Sequence, residues 1–335
     1  MVGIDSGTRT DDVSLQDKTD LGGPAEARHG TARGSALLAD PSDLPPIEVP
    51  ARYNYVGVFL TLACNLRCPY CINHHDGQAA RRRLLTGAQW LAGLRRIHTH
   101  TPLTLQGGEP SLHPDMVDVI RGLSGDFEMD LLTNLQFDIE AFSDRVDPRA
   151  LRRDAPYANI RVSYHPDQMD LLDTVDRVND LLARGFDVGL FMVDHPDWVA
   201  EREQARQACE HRGIDFRTKE FLGRHNNRLY GTYLHPDAVG GRARSCRCRT
   251  SELLIDPSGA IFRCHRDLYR GQNAIGHLLD PDFQIDDVFR PCSVFGECNP
   301  CDVKVKTNRF QQFGHTAVEI EGIDDLVESS TSKRG

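Results

Sequence analysis

Cys64, Cys68 and Cys71 form a C-x3-C-x2-C run inside "TLACNLRCPYCINHH", residues 61–75. Three thiols this close read as metal ligands, and the chemistry turns on what completes the site. A zinc ion would take a fourth protein ligand, and His74 or His75 stands near enough in sequence to supply it. A [4Fe–4S] cluster held by three thiolates would instead leave one iron open to an exogenous ligand. A second motif, "QGGEP" at 106–110, combines glycines, which allow close backbone approach, with a carboxylate suited to an ammonium group. More cysteines gather downstream in "CRCRTSELLIDPSGAIFRCH" (246–265) and "CSVFGECNPC" (292–301).

The segments that must position these residues alternate between short apolar runs and helical patterns. Strands are expected at 55–62, 102–106, 127–134, 159–165, 187–193 and 215–221. Helices are expected between them, at 86–98, 113–123, 138–146, 168–185 and 196–213. Such alternation implies parallel strands covered by helices, as an open doubly wound sheet or an incomplete barrel. Ligands gather at the carboxyl ends of the strands in either fold. The cysteine run follows the first strand and "QGGEP" the second, so both belong on that rim. "LLIDPSGAIFRC" reads as a hairpin with a Pro-Ser-Gly turn, ending at Cys264.

The chain has 335 residues, 39% hydrophobic and 26% charged, which is ordinary for a globular protein with a sizeable core. A net charge of -10 argues against nucleic acid as a partner. No run approaches the ~18 apolar residues of a membrane span, and the amino terminus lacks a signal pattern. A cytoplasmic location is therefore expected, where ten cysteines stay reduced. Residues 1–50 are rich in Asp, Gly, Ser, Thr and Pro and read as a disordered leader, and 322–335 as a flexible tail.

The loop Cys64-x3-Cys68-x2-Cys71, with Tyr70 directly before the third cysteine, resembles the signature of radical S-adenosylmethionine (SAM) enzymes. "GGEP" after the next strand is similar to that family's second motif, and the resemblance covers roughly residues 53–222. It implies a partial (β/α)6 TIM-like barrel over 51–222, with Cys64, Cys68 and Cys71 on three irons and SAM chelating the fourth. By the same resemblance Tyr70 would lie against the adenine. Gly107, Gly108 and Glu109 would receive the methionyl amino group, and Pro110 would shape the turn. Asn134 and Ser163, at the ends of the third and fourth strands, are candidates for ribose or carboxylate contacts.

Residues 223–321 look like the cysteine-rich auxiliary modules of that family, the SPASM and shorter twitch domains, built on the β-hairpin. The later block reads C-x5-C-x2-C where a full SPASM module has C-x2-C-x5-C-x3-C, which favours a single further [4Fe–4S] cluster. The ligands this suggests are Cys248, Cys264, Cys298 and Cys301, with Cys246 able to replace Cys248. Zinc is the competing occupant, since paired cysteines on hairpins also build ribbons. Arg242, Arg244, Arg247 and Arg249 would offset cluster charge or bind an anionic substrate. Cys209 lies in a helical pattern and reads as core packing, while Cys292 is a candidate hydrogen donor to a product radical.

The activity so implied is reductive cleavage of SAM to a 5′-deoxyadenosyl radical, which takes hydrogen from an unactivated carbon. A flavodoxin- or ferredoxin-type protein would supply the electron. The first fifty residues do not read as a peptide-binding domain, which favours a small sugar-like or nucleoside metabolite of antibiotic biosynthesis. A ribosomally made peptide is the alternative substrate. A non-catalytic zinc scaffold is the alternative of another class.

Overall fold

The computed structural model describes residues 44–71, 82–306 and 316–323. His74 and His75, most of the expected leader and most of the tail lie outside these. The described residues fall in the unit Ala39–Gly335.

Six parallel strands form the frame: β1 (Tyr55–Thr61), β2 (Leu103–Gly107), β3 (Met129–Thr133), β4 (Ile160–Tyr164), β5 (Val188–Asp194) and β6 (Asp215–Glu220). The helices between them are α1 (Gly87–Leu94), α2 (Met116–Leu123), α3 (Ile139–Ser143), α4 (Leu171–Ala183) and α5 (Val199–Arg212). Each lies within the segment the sequence pattern expects, but α1 stops at Leu94 and Ile97–His98, expected as helix, pairs as a strand with Ile47–Glu48. The expected partial barrel is the sheet observed. Helix α1 starts at a capping box, in which Thr86 and Gln89 satisfy each other's backbone N–H. Helix α2 buries Met116, Val119, Ile120 and Leu123, one stripe at i, i+3, i+4 and i+7. Helix α5 stops at Gly213, which takes the left-handed conformation (φ 68°) that glycine adopts freely.

The two faces of β1 serve two cores, as the period of two requires. Val56, Val58 and Leu60 join the large cluster under the helices. Tyr55 and Phe59 turn the other way, with Leu62 just beyond the strand, and pack against Leu254, Phe262, Leu268 and Tyr269. The last four come from the carboxyl-terminal part of the chain: β10 (Glu252–Ile255), β11 (Ala260–Phe262) and α6 (His265–Arg270), which follow β7 (Gly223–His225), β8 (Arg228–Tyr230) and β9 (Arg244–Thr250).

The expected hairpin exists as β10 and β11, but it does not stand apart from the barrel sheet. Strand β10 pairs in parallel with β1, in register Leu254↔Gly57, and the hairpin with one further strand beyond it extends one sheet to nine strands. Its order is β12-β11-β10-β1-β2-β3-β4-β5-β6, with β12 at Gly276–His277. A separate three-stranded sheet has β9 at its centre, between β13 (Arg290–Phe295) and β14 (Val318–Glu321). Helix α7 (Pro300–Val303) closes this region. Among the described residues no helix is long and apolar enough to cross a membrane.

Candidate active site and cysteine module

A register shift between Phe59 and Thr61 bends the end of β1 just where the chain leaves for the cysteine loop. The "QGGE" segment grips that exit. Gly108 N–H donates to Thr61 O (2.9 Å) and Glu109 N–H to Ala63 O (2.8 Å). A Cβ on Gly107 would stand 2.0 Å from Thr61 O, and one on Gly108 2.2 Å from Ala63 O. The glycines are thus required by close approach to the chain's own backbone, beside any room they leave for a ligand.

Glu109 is 1% exposed. Its carboxylate accepts from Thr133 Oγ1 (2.7 Å), Asn134 N (2.7 Å) and Ser111 N (3.1 Å), joining the carboxyl ends of β2 and β3. A carboxylate offers about four acceptor sites, so three donors leave one. Pro110 is buried and opens a short 3-10 turn capped by Glu109.

Three residues of the cysteine loop are tied to the segments that follow two strands, β3 and β4. Asn134 Nδ2 donates to Asn65 Oδ1 (2.7 Å), and Arg67 N donates to Gln168 Oε1 (2.6 Å). The Tyr70 hydroxyl hydrogen-bonds His165 Nδ1. Asn134 therefore braces the loop. Ser163 is half-buried near the end of β4. Cys64 is exposed and Cys68 and Cys71 partly so. Burial pushes the Cys68 thiol up to about 12, helped by the neighbouring Cys71 thiol and Asp167. Metal binding must therefore displace protons. Zinc–sulfur bonds of about 2.3 Å place thiolates about 3.8 Å apart in a tetrahedron. Among the described residues, Cys64, Cys68 and Cys71 do not gather that tightly, since only two other groups of donor atoms fall within 4.8 Å of one another. The donor set and its spread fit an iron–sulfur cluster better than a single zinc ion.

The rim beside this loop carries an aromatic and imidazole wall. Tyr70 meets Trp198 edge-on at 4.6 Å and His195 at 5.6 Å between ring centroids. His195 packs on Trp198 and Phe221, each at 4.6 Å, and on His225 at 4.8 Å. The strand-end segments "SYHPDQ" and "DHPDW" contribute His165, His195 and Trp198. The signal was present in the sequence as the same tripeptide, His-Pro-Asp, closing β4 at 165–167 and β5 at 195–197. His225 carries no such mark. A cavity of about 850 Å3 lined by Glu48, His98, Pro102, Phe127 and Glu128 lies at the opposite, amino-terminal end of the strands and holds none of this chemistry.

Burial lowers the His165 pKa to about 4, outweighing the opposing effect of Asp167. Burial also raises that of Tyr70, so the phenol stays protonated and donates to a neutral imidazole. Below pH ~6.5 an unfolded His165 takes up a proton that the folded one refuses until about pH 4. Stability contributed here is present at neutral pH and is lost as pH falls through that window, by about 2 kcal/mol between pH 7 and pH 5. Urea unfolding of the cluster-free chain at both pH values should register this loss, and His165→Gln should remove it. An unchanged pH dependence in the variant would contradict the assignment.

In the second cysteine group, Cys246 and Cys248 both point inward from β9 although only one residue separates them, as strand alternation requires. Their Sγ atoms lie 3.4 Å apart. Cys246 pairs in register with Cys292 of β13, and the three thiols lie within 4.8 Å of one another. Hydrogen bonds from the Cys246 and Cys248 thiols hold the Cys292 pKa far below its usual value. Cys248, Cys264, Cys292 and Cys298 line one narrow cavity with Arg263, Arg266 and Asp302. Relative to the expected set, Cys292 joins the cavity wall, while Cys301 on α7 is absent from it. The thiol-rich donor set fits an iron–sulfur site. Cys209 is fully buried in the helix–sheet core.

The arginines singled out from the sequence are placed otherwise. Arg247 and Arg249 alternate with the cysteines on β9 and pair outward, with Glu321 (2.9 Å) and Glu319 (2.6 Å). Arg244 lies over Phe295 and near Asp237, and Arg242 is exposed. The cations facing the thiols are Arg263 and Arg266, held by Asp267 and Glu297. Beneath them lies a buried charged layer: His265 with Asp302 (2.8 Å) and Lys306 with Glu252 (3.0 Å).

A parallel partial barrel with three cysteines and a Gly-Gly-Glu clamp on its rim defines a class, and the comparison with known proteins agrees. Residues 58–196 match the Radical SAM superfamily, so this part of the chain carries a radical SAM domain. A probable GTP 3′,8-cyclase of Saccharolobus solfataricus is 28% identical over 193 residues, covering 55% of this chain and 58% of that protein. The PqqA peptide cyclase of Methylorubrum populi is 36% identical over 101 residues, covering 28% of this chain and 24% of that one. The chain thus spans a quarter to somewhat over half of the length of these relatives. Among solved structures, Streptococcus suis SuiB aligns over 70% of this chain and 64% of its own, with 13% identity and a TM-score of 0.45. The family's cofactors are a [4Fe–4S] cluster and SAM.

Proposed function

We propose that this protein cleaves SAM reductively and abstracts hydrogen from a small sugar-like or nucleoside metabolite in natural-product (antibiotic) biosynthesis. The observation that carries the reading is the convergence, on one barrel rim, of three cysteine thiols, the Gly-Gly-Glu clamp and an aromatic–imidazole wall. Cys64, Cys68 and Cys71 would hold the first cluster. Cys248, Cys264, Cys292 and Cys298 would hold a second, with Cys246 adjacent. With SAM and an electron from a flavodoxin- or ferredoxin-type donor, the first cluster supplies a 5′-deoxyadenosyl radical.

The chain's own residues do the rest. Glu109 offers its remaining acceptor site to the methionyl ammonium group. Asn134, Gln168 and His165 fix the cysteine loop so that the ligands keep their spacing. Trp198, His195 and Phe221 present flat faces on which a base or sugar ring can pack while water is excluded. The resemblance to a protein named for GTP supports a nucleoside-like substrate, and the match to a peptide cyclase supports the peptide alternative. We favour the first because its match extends over 193 residues against 101.

The test is 5′-deoxyadenosine release by anaerobic, iron-reconstituted protein with reductant and SAM. Nucleosides, nucleotides and aminosugars are supplied in one arm and Tyr- or Glu-containing peptides in the other. Stimulation of at least tenfold by a small metabolite, with deuterium passing from it into 5′-deoxyadenosine, is expected. Stimulation by peptides alone would transfer the assignment to the second reading.

A further inference from the structure

We infer that the rim carries a divalent-metal site made of His195, Asp197 and His225, separate from both cysteine groups. Its donors converge from two elements, the turn after β5 and the β7 strand, and their ligand atoms lie within 4.8 Å of one another. The two Asp197 oxygens divide between the imidazoles: Oδ1 is 3.0 Å from His225 Nε2 and Oδ2 is 3.9 Å from His195 Nδ1.

The hydrogen bonds show what these nitrogens present. Asp197 N donates to His195 Nδ1 at 3.2 Å, so that nitrogen carries a lone pair. Asn226, in the left-handed conformation (φ 47°), holds its amide nitrogen 3.0 Å from His225 Nε2. His225 Nε2 thus has the Asn226 amide and Asp197 Oδ1 both at 3.0 Å, and its one in-plane site can hold either a proton or a metal ion. A proton on Nε2 makes an ordinary hydrogen bond to Asp197 Oδ1 at 3.0 Å, and a metal ion would take that proton's place. A divalent ion satisfies both imidazoles and the carboxylate, at the cost of the 3.2 Å backbone contact.

Two histidines and one carboxylate suit zinc or ferrous iron and leave coordination positions open. His195 is buried against Trp198 and Phe221, which fixes its ring, whereas Asp197 has a side chain 58% exposed, which leaves an approach from solvent. The donors lie on the rim that Tyr70 shares, 5.6 Å from His195 between centroids. The ion would there take an oxygen donor of the molecule bound in the barrel mouth, such as a carboxylate, a phosphate or paired hydroxyls. The inference does not depend on SAM cleavage.

The experiment uses the full chain with its cysteine sites first filled with iron and sulfide, so that thiols do not compete. Zinc is added in equimolar amount, loosely held metal is removed by desalting, and zinc is counted and examined by X-ray absorption. About one zinc per chain is expected, with nitrogen and oxygen neighbours at about 2.0–2.1 Å and no sulfur near 2.3 Å. Asp197→Asn and His225→Ala should each weaken zinc at least tenfold in competition with a chromogenic chelator. Asp197 is exposed, so its variant tests binding without threatening the fold. No retained zinc, sulfur in its shell, or equal retention by Asp197→Asn would overturn the inference, the last marking an adventitious surface ion.

Discussion

Replacing Cys64, Cys68 and Cys71 together by alanine is expected to abolish 5′-deoxyadenosine formation and to lower iron from about eight to about four atoms per reconstituted chain. The activity falls to background because the loop contains every thiol on that rim, and the aromatic wall cannot replace a thiolate as an iron ligand. The protein itself should survive the change, since Cys64 is exposed and Cys68 and Cys71 are only partly covered. The remaining iron should then disappear on further replacement of Cys292 by serine, because Cys292 shares the cavity with Cys248, Cys264 and Cys298. Iron that stays at about four with serine at 292 would return that thiol to a role as hydrogen donor and exclude it as a ligand. Undiminished SAM cleavage in the triple variant would remove the assignment of the first site altogether.

Gly108→Ala is expected to be nearly as damaging without touching a single ligand. Its Cβ would lie 2.2 Å from Ala63 O, 2.6 Å from Ala63 C and 2.7 Å from Leu62 O, all backbone atoms that no rotamer change can move aside. Overpacking in well-filled interiors costs about 1–3 kcal/mol, and a collision with fixed backbone lies at or above the upper end of that range. The strain falls on the two hydrogen bonds that hold the exit of β1, Gly108 N to Thr61 O and Glu109 N to Ala63 O. Iron should therefore leave the first site while the second keeps its share, and thermal unfolding should come several degrees lower. A variant with wild-type melting and full iron would show that the clamp tolerates what the geometry forbids.

Much of the barrel was legible because its evidence is local. Helix α2 repeats its apolar residues every three or four positions, and β1 through β5 are apolar runs bounded by turn residues. The first cysteine site was equally plain, since its three thiols lie within eight residues. What failed to show depends on pairing at a distance. The parallel union of β10 with β1 joins residues nearly two hundred positions apart, so the hairpin looked like the core of a detached module. The register Cys246↔Cys292 likewise brings a thiol into the second group that spacing alone had set aside. The arginines of "RARSCRCR" were misjudged for a simpler reason: on a strand, neighbours in sequence face opposite ways, so Arg247 and Arg249 turn from the thiols that Cys246 and Cys248 present.

The position of β10 also bears on how the molecule is made. Strand β1 is complete by residue 61, yet its outer edge stays unpaired until the ribosome has delivered residue 255. Unpaired strand edges are templates for wrong partners, and contacts this far apart in sequence form slowly. Throughout that interval the strand leading into Cys64 lacks one of its two neighbours. Hairpin docking is thus a late step in synthesis, and a chain truncated before residue 252 would present three cysteines after a strand paired on one side only.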